Sequence, residues 1–167
     1  MQTVRERPLK EDKEMNQNEK RVYLIETLLK ERRKYTRMQI PANVEEQKRL
    51  LRSLMNIRMP GAIDDEFLRV QDEYLQQINK EKGIVTLSVM EMLQPDIYVW
   101  KGDITRIKAG AIVNAANSGM TGCYQPRHNC IDNCIHTYAG IQLRLTCARM
   151  MEEQGYEEPP GQAKITP

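Results

Sequence analysis

Both histidines and all four cysteines of this 167-residue chain lie between Cys123 and Cys147. Three of the six fall within the run Cys123-Tyr-Gln-Pro-Arg-His128-Asn-Cys130. Two thiolates and one imidazole fill three tetrahedral positions of an ion such as Zn²⁺ and leave the fourth open, as catalytic rather than closed structural sites do. The spacing C-x4-H-x-C is no standard zinc-finger pattern, so the residues alone leave a second reading open. In it Cys123 and Cys130 are small apolar residues and His128 is a surface histidine. Cys134, on the start of a following helix, reads as packing with a fourth ligand as the alternative, Cys147 after Leu143 and Leu145 reads as core, and His136 reads as a structural helix histidine. A redox role for Cys130 and Cys134 is disfavoured, because their spacing is C-x3-C rather than C-x2-C.

The flanking sequence must position these groups. Upstream, Val99 to Gly122 contains two short apolar segments that each end in small and polar residues, a pattern suited to strands delivering a site at their carboxyl ends. Downstream, Ile131, Ile135 and Ala139 share one face of a helical pattern, and a helix start beside a glycine-containing loop can receive a phosphate. Residues 84–89, 97–100 and 111–113 read as strands, 90–94 as a turn or short helix, 131–154 as mainly helical and 157–161 as a loop.

Three helices are expected ahead of this region. The first covers 17–34 with Val22, Ile25, Leu28 and Leu29 as its stripe. The second starts at Pro41, carries Val44, Leu50, Leu51, Leu54 and Met55, and ends near Met59-Pro60-Gly61. The third is capped by Asp64 or Asp65, buries Phe67, Leu68, Val70, Tyr74, Leu75 and Ile78, and stops at Lys82-Gly83. Their charged runs read as solvated faces of a scaffold or partner-docking element. Residues 1 to about 15 read as a frayed tail.

The strings G-D-I-T (102–105), A-I-V-N-A-A-N-S (111–118) and I-D-N-x-I-H-x-x-A-G (131–140) together resemble the first half of a macrodomain, the ADP-ribose-binding fold. Ordinary macrodomains have a glycine-rich stretch where this chain has the Cys123 to Cys130 loop. That departure resembles the zinc-dependent bacterial macrodomains, which are similar to hydrolases that remove ADP-ribose from proteins. The helical runs before residue 82 are similar to the extension of that subgroup.

The resemblance implies an α/β fold, a macrodomain-like mixed sheet with flanking helices, truncated and preceded by an α-helical extension. Residues 1–82 would form the extension, and 83–167 the first part of a macrodomain that stops inside its own fold. It implies ligand-binding roles for Asp103, Ile104, Asn114, Asn117 and Gly122, with Asp103 accepting from the adenine amino group and Asn117 at the distal ribose. It implies catalytic roles for Asp132 and Asn117, Zn²⁺ on Cys123, His128 and Cys130, and an ADP-ribosylated protein and ADP-ribose as partners, with a sirtuin-type transferase and a lipoyl-carrier protein as further associates of the family. Read from the residues, Asp103 also suits a turn cap, Asn114 a loop tie and Asp132 a helix-start acid favoured by the dipole. The function expected is a zinc-dependent mono-ADP-ribosyl-protein hydrolase, and the alternative is an ADP-ribose-binding module or inactive fragment without turnover.

Composition narrows the setting. A net charge of +2 with 29% charged residues gives no field that would draw nucleic acid or an anionic membrane. With a mean hydropathy of -0.64, no apolar run reaches the length of a membrane span or a signal peptide, and four crowded thiols suit a reducing compartment, so a cytoplasmic protein is expected.

Overall fold

The computed structural model describes residues 15–35 and 37–166; the tail expected at the N-terminus lies almost wholly outside them. Helix α1, Gln17–Lys30, opens on a capping box in which Asn16 accepts from the amides of Asn18 and Glu19 while Glu19 reaches back to the Asn16 amide. It ends at Lys30, short of the expected residue 34, and Arg33–Tyr35 form a separate 3-10 turn. Helix α2, Val44–Ile57, begins three residues after Pro41 because Asn43 caps it through the amides of Glu45 and Glu46. Helix α3, Asp65–Lys82, is capped by Asp64 and stopped by Gly83 at φ +83°, as the sequence predicts.

These helices bury one continuous core. Leu24, Ile25, Leu28 and Leu29 of α1 meet Leu51, Leu54 and Met55 of α2 and Phe67, Val70, Tyr74 and Leu75 of α3. Ile141, from the far part of the chain, joins the same cluster. Its amide donates to the buried Gln71 side chain at 3.0 Å, so the second part of the chain is seated on the helices rather than tethered to them.

The sheet is smaller than expected. The strands are β1, Glu91–Gln94, and β2, Ile97–Val99, an antiparallel hairpin turned by Pro95 and Asp96, the latter at φ +64°. Residues 91–94 are therefore a strand, not a turn or short helix. Residues 84–89 contribute only Val85, which forms a parallel bridge with Ile107, before Leu87–Val89 coil into a 3-10 turn. Residues 111–113 form no strand, and Val113 is 86% exposed. The reason is physical: β-branched residues favour a pleated ladder only when a neighbour completes its hydrogen bonds, and among the described residues none lies beside 111–113.

The long C-terminal helix expected over 131–154 is two helices, α4, Ile131–Tyr138, and α5, Ile141–Gln154. Gly140 separates them at φ +83°, where an added Cβ would stand 2.4 Å from the Gln71 side chain. Only glycine fits that close approach. Helix α4 packs on α2 and on α5.

Candidate functional site

The loop from Thr121 to Cys130 is shaped by polar groups that sequence patterning does not single out. Asn133, fully buried one turn into α4, donates to the carbonyls of Cys123 and Gln125 at 3.2 and 3.0 Å. Asn56, buried at the end of α2, accepts from the Arg127 amide at 2.9 Å and donates to Thr137. Arg52 Nη2 donates to the His128 carbonyl at 2.8 Å and to Asn133 Oδ1 at 3.1 Å. Arg144, 4% exposed, gives Nε to the Thr121 carbonyl and Nη1 to the carbonyls of Met55, Asn56 and Arg58, and its guanidinium lies over the Tyr124 ring. The one cue for Arg144 in the sequence is a charge set between Leu143 and Leu145.

Held in this way, the loop brings Cys123, His128 and Cys130 together, with their ligand atoms all within 4.8 Å of one another. Cys123 Sγ lies 3.6 Å from His128 Nδ1, and the turn from Gln125 to His128 that sets this spacing puts Arg127 at φ +56°. Cys130 caps α4 by accepting from the Asn133 amide at 3.4 Å. Burial pushes the Cys130 thiol above its ordinary range, the Asn133 amide pulls it down, and neighbouring Cys123 pushes it up again. Two thiols and an imidazole this close are a group that could hold a metal ion. Cys134 and Cys147 stand outside it. Cys134 Sγ lies 3.8 Å from Arg52 Nη2, and Cys147 is buried.

Beside the trio, Asp132 is 5% exposed in the first turn of α4. Its two carboxylate oxygens face different partners: Asn114 Nδ2 donates to Oδ1 at 2.8 Å, and Asn117 Nδ2 lies 3.5 Å from Oδ2. Asn117 also reaches the Gly122 carbonyl at 3.3 Å and accepts from the Gly119 amide at 3.0 Å. Asn114 Oδ1 is buried with no donor among the described residues. Gly122, at φ +85°, passes so close to the His136 ring that a Cβ there would stand 2.8 Å from it. His136 Nε2 lies 3.5 Å from Asp132 Oδ1, and burial, against the pull of Asp132, keeps its pKa below the usual histidine value.

Asp103 and Ile104 stand apart. Asp103 caps the 3-10 turn Ile104–Arg106 by accepting from the Thr105 amide and hydroxyl, and it pairs with Lys82 at 3.3 Å. Burial pushes its carboxyl up, but the Thr105 bonds and Lys82 outweigh that and leave it below its ordinary value. Among the described residues no hydrogen bond joins it to Asp132. No helix among them is long and apolar enough to cross a membrane.

Comparison with known proteins adds an independent line. Residues 113–167 match the model of the Macro domain family. The chain is 58% identical over 157 residues to a protein-ADP-ribose hydrolase of Treponema medium, covering 92% of this chain and 60% of that one. It is 44% identical over 145 residues to a protein-ADP-ribose hydrolase of Staphylococcus aureus strain MRSA252, covering 86% of this chain and 54% of that one. A probable bifunctional ADP-ribose hydrolase/ADP-ribosyltransferase of Fusarium oxysporum f. sp. cubense is 37% identical over 128 residues, 70% of this chain and 21% of its own length. The chain thus spans little more than half the length of the bacterial relatives it matches.

Proposed function

We propose, for a chain whose residues 113–167 match the Macro domain family, that it takes part in removing mono-ADP-ribose from modified proteins, with zinc held by Cys123, His128 and Cys130. The observation that carries this reading is Asp132: a buried carboxylate, oriented by two asparagines, two residues past the last donor of a three-donor metal group. A module that only binds ADP-ribose has no need of a water-activating acid there.

The donor types suit zinc. Bonds of about 2.3 Å to sulfur and about 2.0–2.1 Å to nitrogen, at a tetrahedral angle, separate the two donors by about 3.6 Å, which is the spacing of Cys123 Sγ and His128 Nδ1. Such an ion would supply Lewis acidity beside the distal ribose. Asp132, oriented by Asn114 and Asn117, takes the proton of the attacking water as the bond between ADP-ribose and the modified carboxylate breaks. Asn117 binds the distal ribose, and Asn114, whose buried Oδ1 has no donor among the described residues, accepts from a ligand hydroxyl. The Gly122 backbone lets the ligand approach closely, and Asp103 with Ile104 binds at the adenine end. The division at residue 82/83 is part of the same reading. The helices before it serve as the frame that shapes the metal loop.

The test is release of ADP-ribose from a protein carrying it on an acidic side chain, with and without a zinc chelator. Chelator-sensitive release supports the hydrolase. Binding of free ADP-ribose without release would instead make the chain a binding module.

A further inference from the structure

On the face of α2 that leads to the metal loop lies a cleft of about 360 Å³ between α2, α3 and α4. Its floor is apolar, with Leu51, Met55 and Leu75 buried there beside the Tyr74 ring. Its rim is cationic: Lys48, Arg49 and Arg52 come from α2 and Arg127 from the loop, and no aspartate or glutamate lines it. Lys48 is paired with Glu45 at 2.8 Å, but the side chains of Arg49 and Arg127 have no carboxylate partner among the described residues. Arg52 spends Nη2 on the loop, while its Nε is buried without an acceptor among them. Arg127 and Asn129, which flank the ligand His128 in the chain, line the same cleft. An occupant would therefore lie against the loop that carries the metal donors.

We infer that this cleft docks an acidic segment of the ADP-ribosylated protein, with one apolar side chain on the floor and carboxylates against Arg49, Arg52 and Arg127; the inference rests on the hydrolase reading for whose segment it is. A modified side chain reacting at the metal loop must run its flanking residues over a surface bordering that loop, and this surface shares two residues with it. Cations rimming an apolar pocket favour a carboxylate-bearing peptide with a hydrophobic anchor. A nucleic acid, with no apolar side chain to bury, would leave the floor unused.

The test uses the full chain and a fluorescein-labelled peptide of one leucine between two triglutamate runs, followed by fluorescence anisotropy. The result expected is saturable binding that exceeds that of the matching trilysine peptide and is not competed by free ADP-ribose. It should weaken about tenfold or more in 0.5 M NaCl and in Arg49→Glu and Arg127→Glu. Arg49 is exposed, so circular dichroism and zinc content should be unchanged in its variant. Binding no tighter than the lysine peptide, or affinity unaltered by Arg49→Glu, would overturn the proposal, as would a single-stranded DNA 12-mer that binds equally well and displaces the peptide. Peptide binding is read without turnover, so failure to release ADP-ribose would count against the hydrolase reading alone.

Discussion

Replacing Arg144 with methionine is the sharpest perturbation of the frame that shapes the site. The change keeps much of the side chain's length and apolar stem but removes four donated hydrogen bonds, to Thr121, Met55, Asn56 and Arg58, at 2.7 to 3.0 Å. Three of those carbonyls lie at the C-terminal end of α2, where the helix leaves acceptors unpaired and a positive charge is favoured. Bonds from a charged donor contribute about 1.5–3 kcal/mol each, but three share one nitrogen and cannot be summed, and the arginine's own burial is costly. Each buried carbonyl left without its donor costs about 1–3 kcal/mol, so a total loss of about 3–5 kcal/mol is expected here. With a urea dependence of about 2 kcal/mol per molar, the unfolding midpoint should fall by about 1.5–2.5 M. Arg144→Lys, which keeps the charge but not the planar fork, should fall between the two. A midpoint within about 0.5 M of the parent, corresponding to about 1 kcal/mol, would refute the view that Arg144 ties the loop to α2.

Other consequences follow from the same geometry. Gly122→Ala forces a left-handed φ on alanine and drives a methyl into the His136 ring, so a loss of about 1–3 kcal/mol is expected in thermal unfolding; an unchanged melting temperature would contradict the close approach. His136 holds its folded pKa below the unfolded value of about 6.5, so the unfolded state binds the extra proton. Stability should therefore be intact above about pH 6.5 and fall below it, by up to about 1.4 kcal/mol per pH unit until the folded pKa is reached. His136→Gln should flatten that part of the pH dependence measured by urea unfolding. Asp132→Asn should lower ADP-ribose release by about 10²–10⁴-fold while leaving zinc content unchanged, and a variant with parent-like release would remove Asp132 from the chemistry.

What the sequence discloses about this fold depends on how local the determining interaction is. Asp64 as a cap, Gly83 as a stop and the stripe of α3 were readable because a cap and a 3.6-residue period are written within a few positions of one another. In α1 the stripe is shifted: Leu24 is fully buried, whereas Val22 is only partly so, because the neighbouring helices decide which flank of the apolar face is covered. Residues 84–89 and 111–113 have strand-forming composition, but a strand exists only with a partner, and that is not a local property. Gly140 was visible as a glycine, yet its role as a break depends on Gln71, about seventy residues earlier in the chain.

The site divides along the same line. Cys123, His128 and Cys130 are close in sequence, and the structure brings them together. Asn114, Asn117 and Asp132 meet across a gap of fifteen to eighteen residues, and the motifs that carry them were recognisable as strings. The side chains that shape the loop, Arg52, Asn56 and Arg144, act on backbone carbonyls or amides far along the chain, and no pattern of residue types marks such a bond in advance. Asp103 appears in the structure as the turn cap its local sequence also allows, paired with Lys82 rather than joined to the Asp132 group.

On the proposal above, the Cys123 to Cys130 loop holds zinc beside Asp132. Zinc content of the purified chain, measured by atomic emission beside its Cys123→Ser variant, tests it most directly. Close to one zinc per chain is expected, lost in the variant, with helical content retained in both. A chain that carries no zinc, or a variant that keeps it in full, would contradict the assignment of these three donors.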